Sequence, residues 1–120
     1  MDNVKLEFYR GDTYTRDFTI AGYKSKIDNI YFTVKENEND KRAMLSKKLN
    51  DGITLVDETE DSKTYNLLIN CIDTNDFKTN KDYYFDIEII THAVGGDTRK
   101  TILKGTMTLQ PDITQPCNEY

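Results

Sequence analysis

The chain has 120 residues, a formal net charge of −5, 37% apolar residues and 31% charged ones. That length suits one domain whose core needs neither disulfides nor metal, and the low apolar fraction makes the core thin, as in a two-layer sandwich. An acidic chain without a basic patch is a poor partner for nucleic acid, where affinity comes from neutralising phosphates, and for anionic membrane surfaces.

No stretch approaches the ~18 apolar residues of a membrane span. Met1-Asp2-Asn3 lacks the basic and apolar regions of a signal peptide, so synthesis in the cytoplasm without export is expected. The two cysteines, Cys71 and Cys117, have no spacing that indicates a bridge. A reducing compartment favours free thiols at both.

Period-two alternation between turn residues marks half-buried strands, and it runs through most of the chain. Val4–Tyr9 puts Val4, Leu6 and Phe8 on one face. Arg10-Gly11-Asp12 interrupts it, and Thr13–Ile20 resumes with Tyr14, Phe18 and Ile20 on one face and Arg16 breaking the pattern. Ala21–Lys26 is a loop. Ile27–Glu36 has the cleanest alternation, with Ile30, Phe32 and Val34 inward and Tyr31, Thr33 and Lys35 outward, which predicts a central strand. Asn37–Lys41 is too polar to pack and forms a loop tip.

Arg42–Leu49 reads as a weaker strand, with Ala43-Met44-Leu45 as an alternative helical turn. Asn50-Asp51-Gly52 carries a hairpin signal, because Asp-Gly accepts positive φ. Ile53–Val56 is then the returning strand, and Met44–Lys48 its edge partner, blunted by lysines. Glu58–Ser62 is an acidic turn. Thr64–Asn70 is a strand with Tyr65, Leu67 and Ile69 on one face. Asp73–Phe77 predicts one helical turn, capped by Asp73, with Phe77 plugging the end of the core.

Tyr83–Ile90 alternates Tyr83, Phe85, Ile87 and Ile89 against Tyr84, Asp86 and Glu88. Gly95-Gly96-Asp97 turns the chain, and Arg99–Leu109 returns as the second half of a hairpin. Lys47-Lys48 and Arg99-Lys100 sit beside acids as solvated strand faces. Pro111 and Pro116 end strand character. Residues 1–111 therefore form one β domain, and 112–120 a tail or docking arm. Seven to nine short strands without a long helix predict an all-β, immunoglobulin-like antiparallel β-sandwich.

No catalytic or metal constellation emerges. Arg10-Gly11-Asp12 has the composition of an integrin ligand, but between two strands it reads as a turn. His92, the single histidine, has no nucleophile and orienting acid in sequence context. Asp73, Asn75 and Asp76 resemble a calcium loop only in composition, because the positions that require Gly and Glu hold Lys78 and Tyr84. One His and two distant Cys make no zinc site, and Gly95-Gly96 lacks the P-loop Lys-Ser/Thr. The expectation is a non-enzyme without cofactor. Tyr9, Tyr23, Tyr31 and Tyr84 fall on outward faces or loops, where Tyr offers contact area at low entropic cost.

Four blocks occur in order along the chain: Tyr9–Ile20, Ile27–Lys35, Tyr83–Glu88 and Leu103–Thr114. Together they resemble small immunoglobulin-like virion proteins of tailed bacteriophages, most closely the N-terminal domain of the phage baseplate upper protein family. The resemblance implies a structural protein that docks to a head, collar, baseplate or fibre, with no catalytic residues to carry over. That family continues into further domains that hold receptor-binding proteins, whereas this sequence ends at Tyr120, which points to a standalone decoration or adaptor. Its partners would be other phage structural proteins or copies of itself. The arm Asp112–Tyr120, including Ile113, could add a strand to a neighbour's sheet. The second reading is a carbohydrate- or cell-surface-binding module whose exposed tyrosines stack on sugars. A third, a small enzyme or inhibitor, has only the many carboxylates in its favour.

Overall fold

The structure, a computed structural model, describes residues 3–22, 27–93 and 96–111. It has eight strands: β1 Asn3–Tyr9, β2 Tyr14–Ala21, β3 Ile27–Lys35, β4 Leu45–Leu49, β5 Gly52–Glu58, β6 Ser62–Ile69, β7 Asp82–Ala93 and β8 Gly96–Gln110. A 3₁₀ turn, Cys71–Thr74, is the one helical element among the described residues. The all-β expectation holds, and the strand count falls inside the predicted range.

The strands form one mixed sheet in the order β1-β8-β7-β3-β4-β5-β6-β2. The sheet curls until its ends meet: the Phe8 ring of β1 stacks on Tyr14 of β2 with centroids 4.3 Å apart. Its two halves therefore face each other across one core. Phe32, Phe85 and Ile87 from one half share a small apolar void with Phe18 and Leu67 from the other.

The alternation read from sequence decides what enters that core. Ile30, Phe32 and Val34 are buried, as are Tyr65, Leu67 and Ile69 on β6, and Tyr83, Phe85, Ile87 and Ile89 on β7. Each such side chain contributes about 1.5–3 kcal/mol of transfer free energy. Phe77 is buried and packs its ring on Tyr83 at 4.6 Å, plugging the core as expected.

Pairing departs from the sequence reading in two places. The sheet is not purely antiparallel: β1 runs parallel to β8, with Val4 opposite Gly105 and Phe8 opposite Leu109. The turn after β1 carries the chain across to the other half instead of folding it back as a hairpin. Nor do β4 and β5 form a hairpin. They share only a two-residue parallel bridge, Lys48–Gly52 and Leu49–Ile53. Asn50 at φ 68° and Gly52 at φ 99° both take left-handed backbone, which swings the chain from one half of the sheet to the other. β4 instead pairs antiparallel with β3, and β5 with β6. β4 begins at Leu45, so neither a strand from Arg42 nor a helical turn at 43–45 forms.

Around the 3₁₀ turn, three expectations change. Asn70, not Asp73, is the N-cap. Asp73 sits three residues later, and its carboxylate accepts the Asn70 backbone N–H at 2.8 Å, the reciprocal half of a capping box. Lys47 is not a solvated strand residue: its ammonium meets Asp73 at 2.7 Å with its side chain 11% exposed. Cys71 is disulfide-bonded, so the expectation of free thiols, drawn from compartment and not from geometry, fails there. Cys117, the other cysteine of the sequence, lies outside the described residues.

Arg10-Gly11-Asp12 is a turn, and it is fastened. Asp12 N–H donates to the Tyr9 carbonyl at 3.2 Å, and Gly11 takes φ 88°. Gly11 N–H donates to Oγ1 of the fully buried Thr74 at 2.9 Å, and Arg10 Nη1 donates to the Phe77 carbonyl at 3.2 Å. An integrin ligand needs a free, mobile loop; here two of the three residues are held down by the 3₁₀ turn and its flank.

Two substitutions test this architecture. A Cβ on Gly105 would stand 1.7 Å from the Val4 carbonyl oxygen, so Gly105→Ala must push β1 off the sheet. It should lose about 2 kcal/mol or more, read as a lowered urea midpoint. Thr74→Val keeps the shape but leaves the Gly11 N–H without its acceptor. A loss of about 1–3 kcal/mol is expected in the same measurement.

Candidate functional site

A polar groove lies on the outer face of β3, β7 and β8. Period-two alternation turns Tyr31, Thr33 and Lys35 outward on β3, and Tyr84, Asp86 and Glu88 outward on β7. The antiparallel register sets Tyr31 opposite Glu88, Thr33 opposite Asp86 and Lys35 opposite Tyr84. Side chains directly opposite on one face are close neighbours, with Cβ atoms about 5 Å apart.

β8 supplies the far wall. Lys104 lies opposite Asp86 and Thr101 opposite Glu88, with a register shift between them. That bulge leaves Ile102 unpaired. It explains how Thr101 and Lys104, three positions apart, line the same groove, since strict alternation would point them to opposite faces. Gly105 also lines the groove. The main depression is about 340 Å³ and is bounded by Thr33, Lys35, Glu38, Tyr84, Asp86 and Lys104, among others. A shallower extension of about 190 Å³ shares Thr33 and Asp86 and reaches Tyr31, Glu88 and Arg99.

Opposite charges balance along this surface. Lys104 meets Glu38 at 3.5 Å on one rim, and Arg99 meets Glu88 at 3.3 Å at the other end. Asp86 lies between them. Among the described residues no group hydrogen-bonds its carboxylate. Partial burial, then the nearby Glu88, push its pKa above the usual carboxylate range, while Lys35 and Lys104 pull it partly back. Tyr31 is held in place by Asn29, whose Nδ2 donates to the phenol oxygen at 3.2 Å.

Two of the sequence-derived interface residues thus come together: Tyr31 and Tyr84 mark the ends of one groove. Tyr9 is half exposed at the end of β1, opposite Gln110, away from that groove. Tyr23, Asp112, Ile113 and Tyr120 lie outside the described residues. His92 pairs through its backbone with Asp97, and its side chain lies outside what is described. Asp86, Thr33, Lys104 and Thr101 were not singled out from sequence. The outward phase of β3 and β7 was readable, but their adjacency and the β8 bulge were not.

Chemically, the groove offers hydrogen-bond donors, acceptors and two aromatic rings. The residues that line it are Thr, Tyr, Lys, Arg, Asp and Glu, with Phe85 and Gly105. Among the described residues no group of His, Cys, Asp and Glu gathers to hold a metal ion. Asp73, from the calcium-like run, is engaged by Lys47 and Asn70.

Asp86 makes a pH prediction. Its folded pKa is raised, so the folded state binds its proton more tightly than the unfolded chain does. Below the unfolded pKa the group is neutral in both states and costs nothing; as pH rises through the folded pKa, its ionisation costs stability. Asp86→Asn should therefore melt at or above the wild-type temperature at pH 7. The difference should shrink toward zero below about pH 4, as followed by calorimetry across pH.

Comparison of the sequence with known proteins finds no protein-family model that matches the chain and no curated protein that matches it.

Proposed function

We propose that this chain is a non-enzymatic structural component of a tailed-phage particle, an immunoglobulin-like module that acts by docking to other virion proteins. The observation that carries this reading is the strand pairing order. β2–β6–β5 pair in the manner of the B, E and D strands of an immunoglobulin-type sandwich, and β3–β7–β8 in the manner of C, F and G. β4 continues the second set as the extra strand of the variable type does. The first strand crosses over to lie beside the last. This order supports the immunoglobulin-like fold that the four sequence blocks imply by their resemblance to phage virion proteins.

In this reading the protein is made in the host cytoplasm and resides in the virion. Docking uses outward tyrosines such as Tyr9 together with the arm Asp112–Tyr120, and repeated copies are held by symmetric contacts. Which residues meet the partner follows from assembly, not from catalysis, so the fold must present a fixed surface and nothing more.

The test is composition of the particle. Virions released by the strain that carries the gene are purified on a density gradient and analysed by quantitative mass spectrometry and immunogold labelling. The expected result is a fixed copy number per particle at one structural position. A chain abundant in the lysate but absent from purified particles overturns the reading.

A further inference from the structure

We infer that the groove between Tyr31 and Tyr84 is a binding site for a short neutral oligosaccharide. This goes beyond docking and does not depend on it: a virion protein, or any other module with this surface, would bind sugar through the same residues.

The lining excludes the other ligand classes in turn. Lys35, Lys104 and Arg99 are balanced by Glu38, Asp86 and Glu88, so the groove carries no net formal charge, and an anionic ligand would meet Asp86 at its centre. A cationic ligand would meet the lysines that flank Asp86 on either side. A wholly apolar ligand would strip water from these charges without replacing their hydrogen bonds. An added peptide strand has no edge to join, because β7 is paired on both sides, with β3 and with β8.

A neutral sugar meets each requirement. Its hydroxyls each donate one hydrogen bond and accept two, as a Ser hydroxyl does, so one ring can satisfy a carboxylate and an ammonium together. Asp86 is a partly buried acceptor that no described residue hydrogen-bonds, and such a group is stabilised by any ligand that donates to it. Lys35 and Lys104 stand beside it as donors. The aromatic rings provide apolar platforms for the C–H faces of the sugar, and Asn29 fixes one of them before binding. Tyr84 and Tyr31 stand four strand positions apart in the β3–β7 register, roughly 13 Å at the rise of a strand. That span calls for several linked rings and not one. The cavity is of the size expected for a small-ligand site.

The test uses the full chain, isotopically labelled for NMR, and neutral trisaccharides of glucose, galactose and N-acetylglucosamine as probes, with inorganic phosphate as a control. At least one trisaccharide should give saturable shifts at the backbone amides of Thr33, Asp86 and Gly105. Asp86→Asn and Tyr84→Ala should each weaken that binding by about tenfold. Tyr84→Phe, which keeps the ring, should retain most of it, and Thr15→Ala on the opposite half should leave it unchanged. Should Tyr84→Ala fail to fold, Asp86→Asn and Tyr84→Phe decide. The inference is overturned if no trisaccharide gives saturable shifts, if the shifts map away from β3, β7 and β8, if Asp86→Asn binds as tightly as wild type, or if phosphate alone binds.

Discussion

The close approach of β1 to β8 at Gly105 is the constraint on which the rest of the structure depends. Because residue 105 has no side chain, the Val4 backbone can settle against it, and the first strand of the chain pairs in parallel with the last over its whole length. That pairing joins residues about a hundred positions apart, so its loop-closure entropy must be met by contacts made elsewhere in the core. It also fixes where β1 ends. From there Arg10 and Gly11 reach Phe77 and Thr74, and β2 starts on the far half of the sheet. The aromatic stack of Phe8 on Tyr14 follows from the same placement.

The end of the molecule around the 3₁₀ turn shows how local chemistry is reassigned by tertiary contact. Asp73 in isolation is a capping residue. In the fold it serves a capping box and also binds the Lys47 ammonium, which β4 brings in from another part of the sheet. A largely buried pair of this kind is weak support for stability in itself, since desolvation offsets attraction. Its value is positional: it ties β4, the strand that crosses between halves, to the turn that closes the core.

The outer groove behaves in the opposite sense. The core faces of β3 and β7 are filled with well-packed apolar side chains, whereas their outer faces hold a carboxylate whose ionisation is disfavoured by its surroundings. Asp86 costs stability where it stands, and among the described residues none hydrogen-bonds its carboxylate. The bulge in β8 belongs to the same pattern, because it gives up a regular ladder position and widens one wall of a cavity.

The sequence by itself determined which side of each strand faces the core, since alternation with period two admits only one phase that buries Ile30, Phe32, Val34, Leu67 and Ile87 together. It determined the turn at Arg10-Gly11-Asp12 and the burial of Phe77 for the same local reasons. It did not determine which strands are neighbours, because side-chain period is blind to hydrogen-bond partners. The parallel seat of β1 and the separation of β4 from β5 by two left-handed residues are products of long-range geometry. So is the groove. Tyr31, Thr33, Tyr84 and Asp86 could be read as outward-facing one strand at a time, but only the β3–β7 register and a single extra residue in β8 put them around one cavity.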